Sequence, residues 1–249
     1  MDFTAALRKD LKWSFVEQFE SFLKIEKKGG EVGRPVANIH QKRLDEVVKV
    51  AHATGRPCRI IALKPRQKGS STGSVGIGYV RLKAKRGRGL IAGGKHFQGS
   101  NLFQILKTYA DSDELDPKHC KVKDMAADFN NGSMMQRITL ANGDAGRSGT
   151  YQVLIITEAA YLADEGVANA DVVLDGLFKC VPMEPDTIII EESTANGASG
   201  SFYDSWKGGI TLEDFLAGRN GYVRVFSAWF EFEDSRLDPA SEGITSEDD

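Results

Sequence analysis

Residues 58–72 read Cys58-Arg59-Ile60-Ile61-Ala62-Leu63-Lys64-Pro65-Arg66-Gln67-Lys68-Gly69-Ser70-Ser71-Thr72: a short apolar run, a polar turn with one glycine, then small hydroxyl residues. The run has the length and branching of a buried strand, and the turn has the composition of a phosphate-binding loop. Such a loop needs backbone N–H groups aimed at phosphates, a lysine for the β and γ oxygens, and a hydroxyl for Mg²⁺ where the next helix starts. Set on the pattern G-x-x-x-x-G-K-[ST], Gly69 takes the second glycine and Ser71 the hydroxyl. Lys64 stands where the first glycine belongs and Ser70 where the lysine belongs. The strict pattern fails. Only the company it keeps along the chain can raise this turn to a nucleotide site.

Working outward, residues 41–53 read as a helix closed by Gly55 and Pro57, which precedes the strand. Beyond the loop, strands are expected at 89–92, 134–141, 151–157, 187–191 and 222–228, with a helix over 101–109. The Val-Leu-Ile-Ile run within 151–157 is of the kind buried on both faces of a parallel sheet. Strands alternating with helices predict an α/β fold, with a mainly parallel sheet covered on both sides. Upstream, Phe3, Leu7, Leu11, Phe15, Phe19 and Phe22 recur every three or four residues, which makes one apolar helical stripe, for the core or for a lid. The acidic end, 241–249, reads as a frayed tail or the start of a linker.

The chain has 249 residues, 41% hydrophobic and 27% charged, enough for one large domain with an appended subdomain. No apolar run approaches the ~20 residues of a membrane span, and no secretory signal is visible. Cys58, Cys120 and Cys180 are far apart and the four histidines are scattered, so neither disulfide nor structural zinc is expected. The net charge of −3 conceals an asymmetry: residues 1–108 hold 22 Lys and Arg against 8 Asp and Glu, and residues 109–249 hold 10 against 27. The densest basic run, Arg81, Lys83, Lys85, Arg86 and Arg88, suits contact with a polyanion, or else a solvated loop.

The buried strand at 151–157 ends in Thr157-Glu158, and a carboxylate there can orient or deprotonate an attacking water. A third strand leads into Glu191-Glu192-Ser193-Thr194-Ala195-Asn196-Gly197, whose hydroxyl and amide groups can sit beside a γ-phosphate. Polar groups at several strand ends on one sheet edge mark where α/β proteins place ligands.

At these residues the sequence resembles a family. Arg66-Gln67-Lys68-Gly69-Ser70-Ser71-Thr72, then Ile155-Ile156-Thr157-Glu158-Ala159-Ala160, then Ser193-Thr194-Ala195-Asn196-Gly197 with Gly200, Phe202-Tyr203 and Trp206 look like the successive ATPase motifs of tailed-phage large terminase subunits. The resemblance runs from about Asn38 to Pro239. It implies an additional-strand P-loop ATPase of the ASCE type with a small lid: residues 1–35 as an N-terminal helical or lid segment, 36–212 as the core, and 213–249 as a lid-completing segment and linker start. It further implies ATP and Mg²⁺ as cofactors and double-stranded DNA, a portal protein and a small terminase subunit as partners. The assembly would be a homo-oligomeric ring on the procapsid, monomeric in solution, in the host cell cytoplasm.

Residue by residue, the resemblance suggests that Gln41 contacts adenine, with a helix-cap role as the alternative. Lys64 would reach the phosphates from the start of the loop, with Lys68 the competitor, and Gln67, Gly69 and Ser70 would complete the cradle. Arg66 would face the γ-phosphate. Ser71, or Thr72 if the register shifts by one, would hold Mg²⁺, and Glu158 would be the catalytic carboxylate, touching the metal through water. Arg147 matches a trans-acting arginine finger, and Ser193, Thr194 and Asn196 match a coupling motif. Thr157 departs from the pattern, standing where many ATPases carry the aspartate that binds Mg²⁺ through water. Large terminases continue into a nuclease; this sequence stops shortly after Pro239, so no DNA cleavage is expected. The competing readings are a degenerate P-loop module that binds nucleotide or DNA without turnover, and a helicase-type ATPase, for which nothing here resembles the usual second motor domain.

Overall fold

The computed structural model describes residues 14–27, 29–142 and 149–235. Phe3, Leu7 and Leu11 of the amino-terminal stripe, Arg147, and the acidic end lie outside the described residues. In chain order the elements are α1 (Phe15–Phe22), a small ribbon of β1 (Ile25–Glu26) and β2 (Val32–Gly33), α2 (Ile39–Ala53), β3 (Cys58–Leu63), α3 (Ser70–Ala84), β4 (Arg88–Gly93), α4 (His96–Ser112), β5 (Cys120–Val122), β6 (Ala126–Phe129), β7 (Met134–Thr139), β8 (Val153–Thr157), α5 (Ala170–Lys179), β9 (Ile188–Ser193), α6 (Ser201–Gly208), α7 (Leu212–Leu216) and β10 (Val223–Phe226).

The main sheet has the order β10-β3-β9-β8-β4-β7-β6-β5. The first six strands are parallel, so their carboxyl ends share one edge, and β6 and β5 close the other side as an antiparallel meander. Strand alternation sorts the core into two halves. Ile60, Ala62, Ile155, Ile188 and Ile190 pack under α1 to α4, and Ile61, Leu90, Leu154, Ile156 and Ile189 pack against α5 and Phe202 of α6. Phe15 and Phe19 of the amino-terminal stripe are buried in the first half, whereas Phe22 is half-buried.

Two elements differ from the sequence reading in ways that matter. The strand expected at 187–191 runs on to Ser193, which carries Glu191 and Glu192 into the sheet, both with 0% exposure. The basic run also changes character. Arg81 is buried and donates to the carbonyls of Asp186 and Lys85, Lys83 pairs with buried Asp113 at 2.5 Å, and Lys85 pairs with Asp186 at 2.8 Å. Arg88 in turn donates to Gln136 at 3.3 Å, so four of its five cations meet partners within the fold, remote from the loop of residues 64–69.

Helix α3 holds Gly73, Gly76 and Gly78, a composition that costs up to about 1 kcal/mol per glycine in helix propensity. Packing explains it. A Cβ on Gly76 would come within 2.1 Å of the Phe15 ring, so the glycine is what lets α1 lie against α3.

Candidate nucleotide site

The loop between β3 and α3 is pinned from below by α2. Asn38 and Gln41 form a reciprocal capping box at the start of α2, and their amides then reach the loop: Asn38 Nδ2 donates to the Lys68 carbonyl at 2.9 Å and Gln41 Nε2 to the Gly69 carbonyl at 3.0 Å. Gln67 and Gly69 both adopt left-handed backbone conformations, with φ of 57° and 68°. For Gln67, a non-glycine residue, that is a strained choice, of the kind that clusters at functional sites. Among the described residues no side chain caps the N-terminus of α3, so its first amide groups and the positive end of its dipole are left to face the loop mouth. Beside the loop opens a cleft of about 920 Å³ lined by residues that include Ile39, Gln41, Lys68, Gly69 and Thr72.

At the carboxyl edge of the sheet, Lys64 Nζ donates to Glu158 Oε1 at 2.7 Å, with the lysine side chain only 7% exposed. Glu158 is held in the left-handed region, φ 52° and ψ 41°, where it leads a 3-10 turn over Ala159–Tyr161. Lys68 turns elsewhere, pairing with Asp234 and lying 5.2 Å from the Phe232 ring centroid. Arg66 and Gln67 are exposed at the loop tip.

Beneath the loop, one carboxylate gathers four hydroxyls. Glu192 Oε2 accepts from Ser70 and, at 2.9 Å, from Ser74; Oε1 accepts from Ser71 at 2.5 Å and from Thr157 at 3.2 Å. Ser71, and not Thr72, makes this contact, while the Thr72 carbonyl accepts from the Tyr109 hydroxyl. Burial works to raise the Glu192 carboxyl's pKa, but the charge of Lys64 and the Ser70, Ser71 and Ser74 hydroxyls outweigh it and leave it below the ordinary value. His40, fully buried, bridges Ser70 Oγ and Ser227 Oγ at 2.9 Å each. Burial, with Lys64 and Arg43 adding to it against the pull of Glu192, lowers its pKa to about 4. The imidazole is therefore neutral at pH 7. Since Ser70 gives its proton to Glu192, Ser70 accepts from Nε2–H and Ser227 donates to Nδ1.

The Ser193–Asn196 segment grips the turn that follows Glu158. Ser193 Oγ accepts from the Ala160 amide at 3.2 Å, Thr194 Oγ1 donates to the Tyr161 hydroxyl at 3.3 Å, and Asn196 Nδ2 donates to the Ala160 carbonyl at 2.9 Å and to Asp164 at 2.7 Å. The fold thus brings Gln41, Lys64, Gly69, Ser70, Ser71 and Glu158 to one edge, with Ser193, Thr194 and Asn196 directly behind it. Sequence reasoning missed Glu192 and His40. The signal for Glu192 was present, an acidic residue at the end of an Ile-Ile-Ile run, but the pair Glu191-Glu192 reads equally well as the beginning of a polar turn.

Among the described residues, no group of three or more His, Cys, Asp and Glu side chains is placed to hold a metal ion. A cation here would draw on hydroxyls, a single carboxylate and phosphate oxygens. That is a hard-oxygen donor set, and it fits Mg²⁺.

A strand inserted between the loop strand and the strand bearing the candidate catalytic carboxylate, as β9 is between β3 and β8, defines the additional-strand class of P-loop NTPase folds. No model of a known protein family matches the sequence, and no curated protein does. Solved structures do match the fold. The large terminase ATPase domain of Thermus phage P74-26 aligns with a TM-score of 0.50 at 19% identity, over 78% of this chain and 82% of that one. The HK97 bacteriophage large terminase aligns at 0.62 and 13% identity, over 88% of this chain and 43% of that one. The large terminase of a thermophilic bacteriophage, in complex with ADP, aligns at 0.53 and 10% identity, over 83% and 48%. The chain therefore has the fold of phage large terminase ATPase domains, and spans less than half the length of the HK97 protein and of the ADP-bound thermophilic one.

Proposed function

We propose that this chain binds ATP with Mg²⁺ at the loop edge and hydrolyses it, as the motor domain of a phage large terminase that drives double-stranded DNA into the procapsid. The observation that carries this reading is the Lys64–Glu158 pair at 2.7 Å, set across the ends of β3 and β8 beside the uncapped start of α3. The terminase fold and the ADP complex of the thermophilic phage protein add support.

In this reading the α3 amides and Lys64 take the phosphates, Arg66 meets the γ-phosphate from the loop tip, and adenine lies in the cleft beside Gln41. Lys64 answers to two anions: Glu158 in the structure described, and the phosphates when nucleotide is bound. Its transfer to phosphate frees the Glu158 carboxylate to orient or deprotonate the attacking water. Ser71 would hold Mg²⁺, which would supply neutralisation of the phosphate charge. Departure of the γ-phosphate would be felt by the Glu158 turn and passed through Ser193, Thr194 and Asn196 to the segment that follows. Arg147 serves the neighbouring subunit of a homo-oligomeric ring, and the portal protein and small terminase subunit complete the assembly.

The test is steady-state phosphate release by the purified chain with Mg²⁺ and ATP, with and without double-stranded DNA, against Glu158→Gln. Mg²⁺-dependent turnover that Glu158→Gln abolishes supports the proposal. Background release unchanged by the substitution overturns it, and tight nucleotide binding without turnover would favour the non-hydrolytic module instead.

A further inference from the structure

Mg²⁺ at a nucleotide site keeps near-octahedral oxygen coordination, usually with one or two carboxylates among phosphates and waters. On β8 the position suited to that carboxylate is Thr157, a hydroxyl. The sheet register sets Thr157 directly beside Glu192 of β9, so both side chains lie on the α3 face, and Thr157 Oγ1 meets Glu192 Oε1 at 3.2 Å. A carboxylate absent from one strand thus stands one strand over, at the same height in the sheet.

We propose that Glu192 supplies the metal-site carboxylate that Thr157 lacks, holding the Mg²⁺ of a bound nucleotide together with Ser71, directly or through water. The inference rests on the nucleotide site proposed above and assigns to it a residue that motif reading does not.

Three features carry it. The two Glu192 oxygens divide their work: Oε2 takes Ser70 and Ser74, both buried, whereas Oε1 takes Thr157 and the only partly buried Ser71 at the start of α3. Second, a carboxylate can only accept, so the Ser71 proton points at Oε1. The Ser71 oxygen is thereby left with its lone pairs directed elsewhere, as a cation ligand requires. Third, the charges do not balance. Among the described residues Glu158 is ion-paired with Lys64 while buried Glu192 has no cation within 4.0 Å, and a surplus negative charge at a largely dry edge is costly unless a cation joins it. Magnesium with its triphosphate brings that cation together with anions for Lys64 and the α3 amides.

The experiment is titration of Mn²⁺, a paramagnetic stand-in for Mg²⁺, into the full chain saturated with ADP, with free Mn²⁺ read by electron paramagnetic resonance. ADP affinity is measured separately in EDTA. Glu192→Gln keeps an acceptor oxygen for the serines and removes the charge. The inference expects it to weaken Mn²⁺ binding about 10- to 100-fold while metal-free ADP affinity moves by no more than about threefold. Unchanged Mn²⁺ affinity overturns the inference and leaves Glu192 a staple between β9 and α3, with the nucleotide site intact. Wild-type protein that binds neither ADP nor Mn²⁺ overturns the nucleotide site and the inference with it. If Glu192→Gln does not fold, Glu192→Asp, which keeps the charge but withdraws it by one methylene, takes its place: weakened Mn²⁺ binding with ADP affinity retained in EDTA supports the assignment, and undiminished Mn²⁺ binding defeats it.

Discussion

Glu191 and Glu192 are consecutive residues of one strand, equally buried, and they sit in opposite chemistry. Glu192 faces α3, where four hydroxyls and the charge of Lys64 hold it ionised. Glu191 faces the other side, beside Ile61 and Ile156 in the sheet register, and neither of its carboxyl oxygens has a hydrogen-bond partner among the described residues. Burial raises its pKa to about 8, so it is mostly protonated at neutral pH. The difference separates the two faces of the sheet by what they are prepared for. One presents organised donors and charge at the carboxyl edge, and the other is packing that tolerates an acid by neutralising it.

The comparison can be broken from either side. The largest effect is expected on the loop face: Glu158→Gln should cost about 10³- to 10⁴-fold in phosphate release with ATP binding retained, read by steady-state kinetics and equilibrium binding. Loss of binding along with turnover would mean that Glu158 shapes the loop and does no chemistry.

On the packing face, Glu191→Leu should leave turnover within about threefold and stabilise the fold by about 3 kcal/mol at pH 7. The sign follows from linkage. The folded carboxyl keeps its proton to about pH 8 while the unfolded one loses it near 4.5, so between those values the unfolded state binds fewer protons and stability falls as pH rises. Urea unfolding of wild type at pH 5 and pH 8 should show that fall, and Glu191→Leu should remove this contribution. A wild-type stability that holds level across the window would mean that Glu191 finds a partner.

Lys64→Ala should weaken nucleotide binding about 10- to 100-fold, whereas Lys68→Ala, which disturbs a pair with Asp234, should change it less than about threefold. The reverse ranking in a calorimetric titration would hand the phosphates to Lys68. The smallest effect is expected at Gln41→Ala, about 1 kcal/mol of stability from the lost capping box and Gly69 contact, seen as a drop of a few degrees in Tm.

Much of this was legible in the sequence wherever a local rule and the tertiary environment agree. The apolar strands ending at Leu63 and Thr157, and Gly69 after a polar turn, announce the fold, because buried parallel strands are continuous apolar runs whatever surrounds them. Gln41 was legible as a helix-cap residue, and the structure places it both in a capping box with Asn38 and against the loop. Glu192 was not legible as a site residue. An isoleucine run that meets two acids looks like a strand ending, and only pairing with β3 through Ser193 and with β8 through Glu192 buries them. Basic residues 81–88 misled in the opposite sense: charge density along the chain does not reveal that Asp113 and the Asp186 carbonyl and carboxylate await those side chains from distant segments.

The proposed nucleotide site stands or falls on Lys64, the lysine at the front of the loop, exchanging Glu158 for phosphate. A structure determined with Mg²⁺ and a non-hydrolysable ATP analogue tests it most directly. Lys64 Nζ is expected within hydrogen-bond distance of phosphate oxygens and parted from Glu158, with a water between Glu158 and the γ-phosphorus. Lys64 still bound to Glu158, with Lys68 swung from Asp234 onto the γ-phosphate, would contradict it.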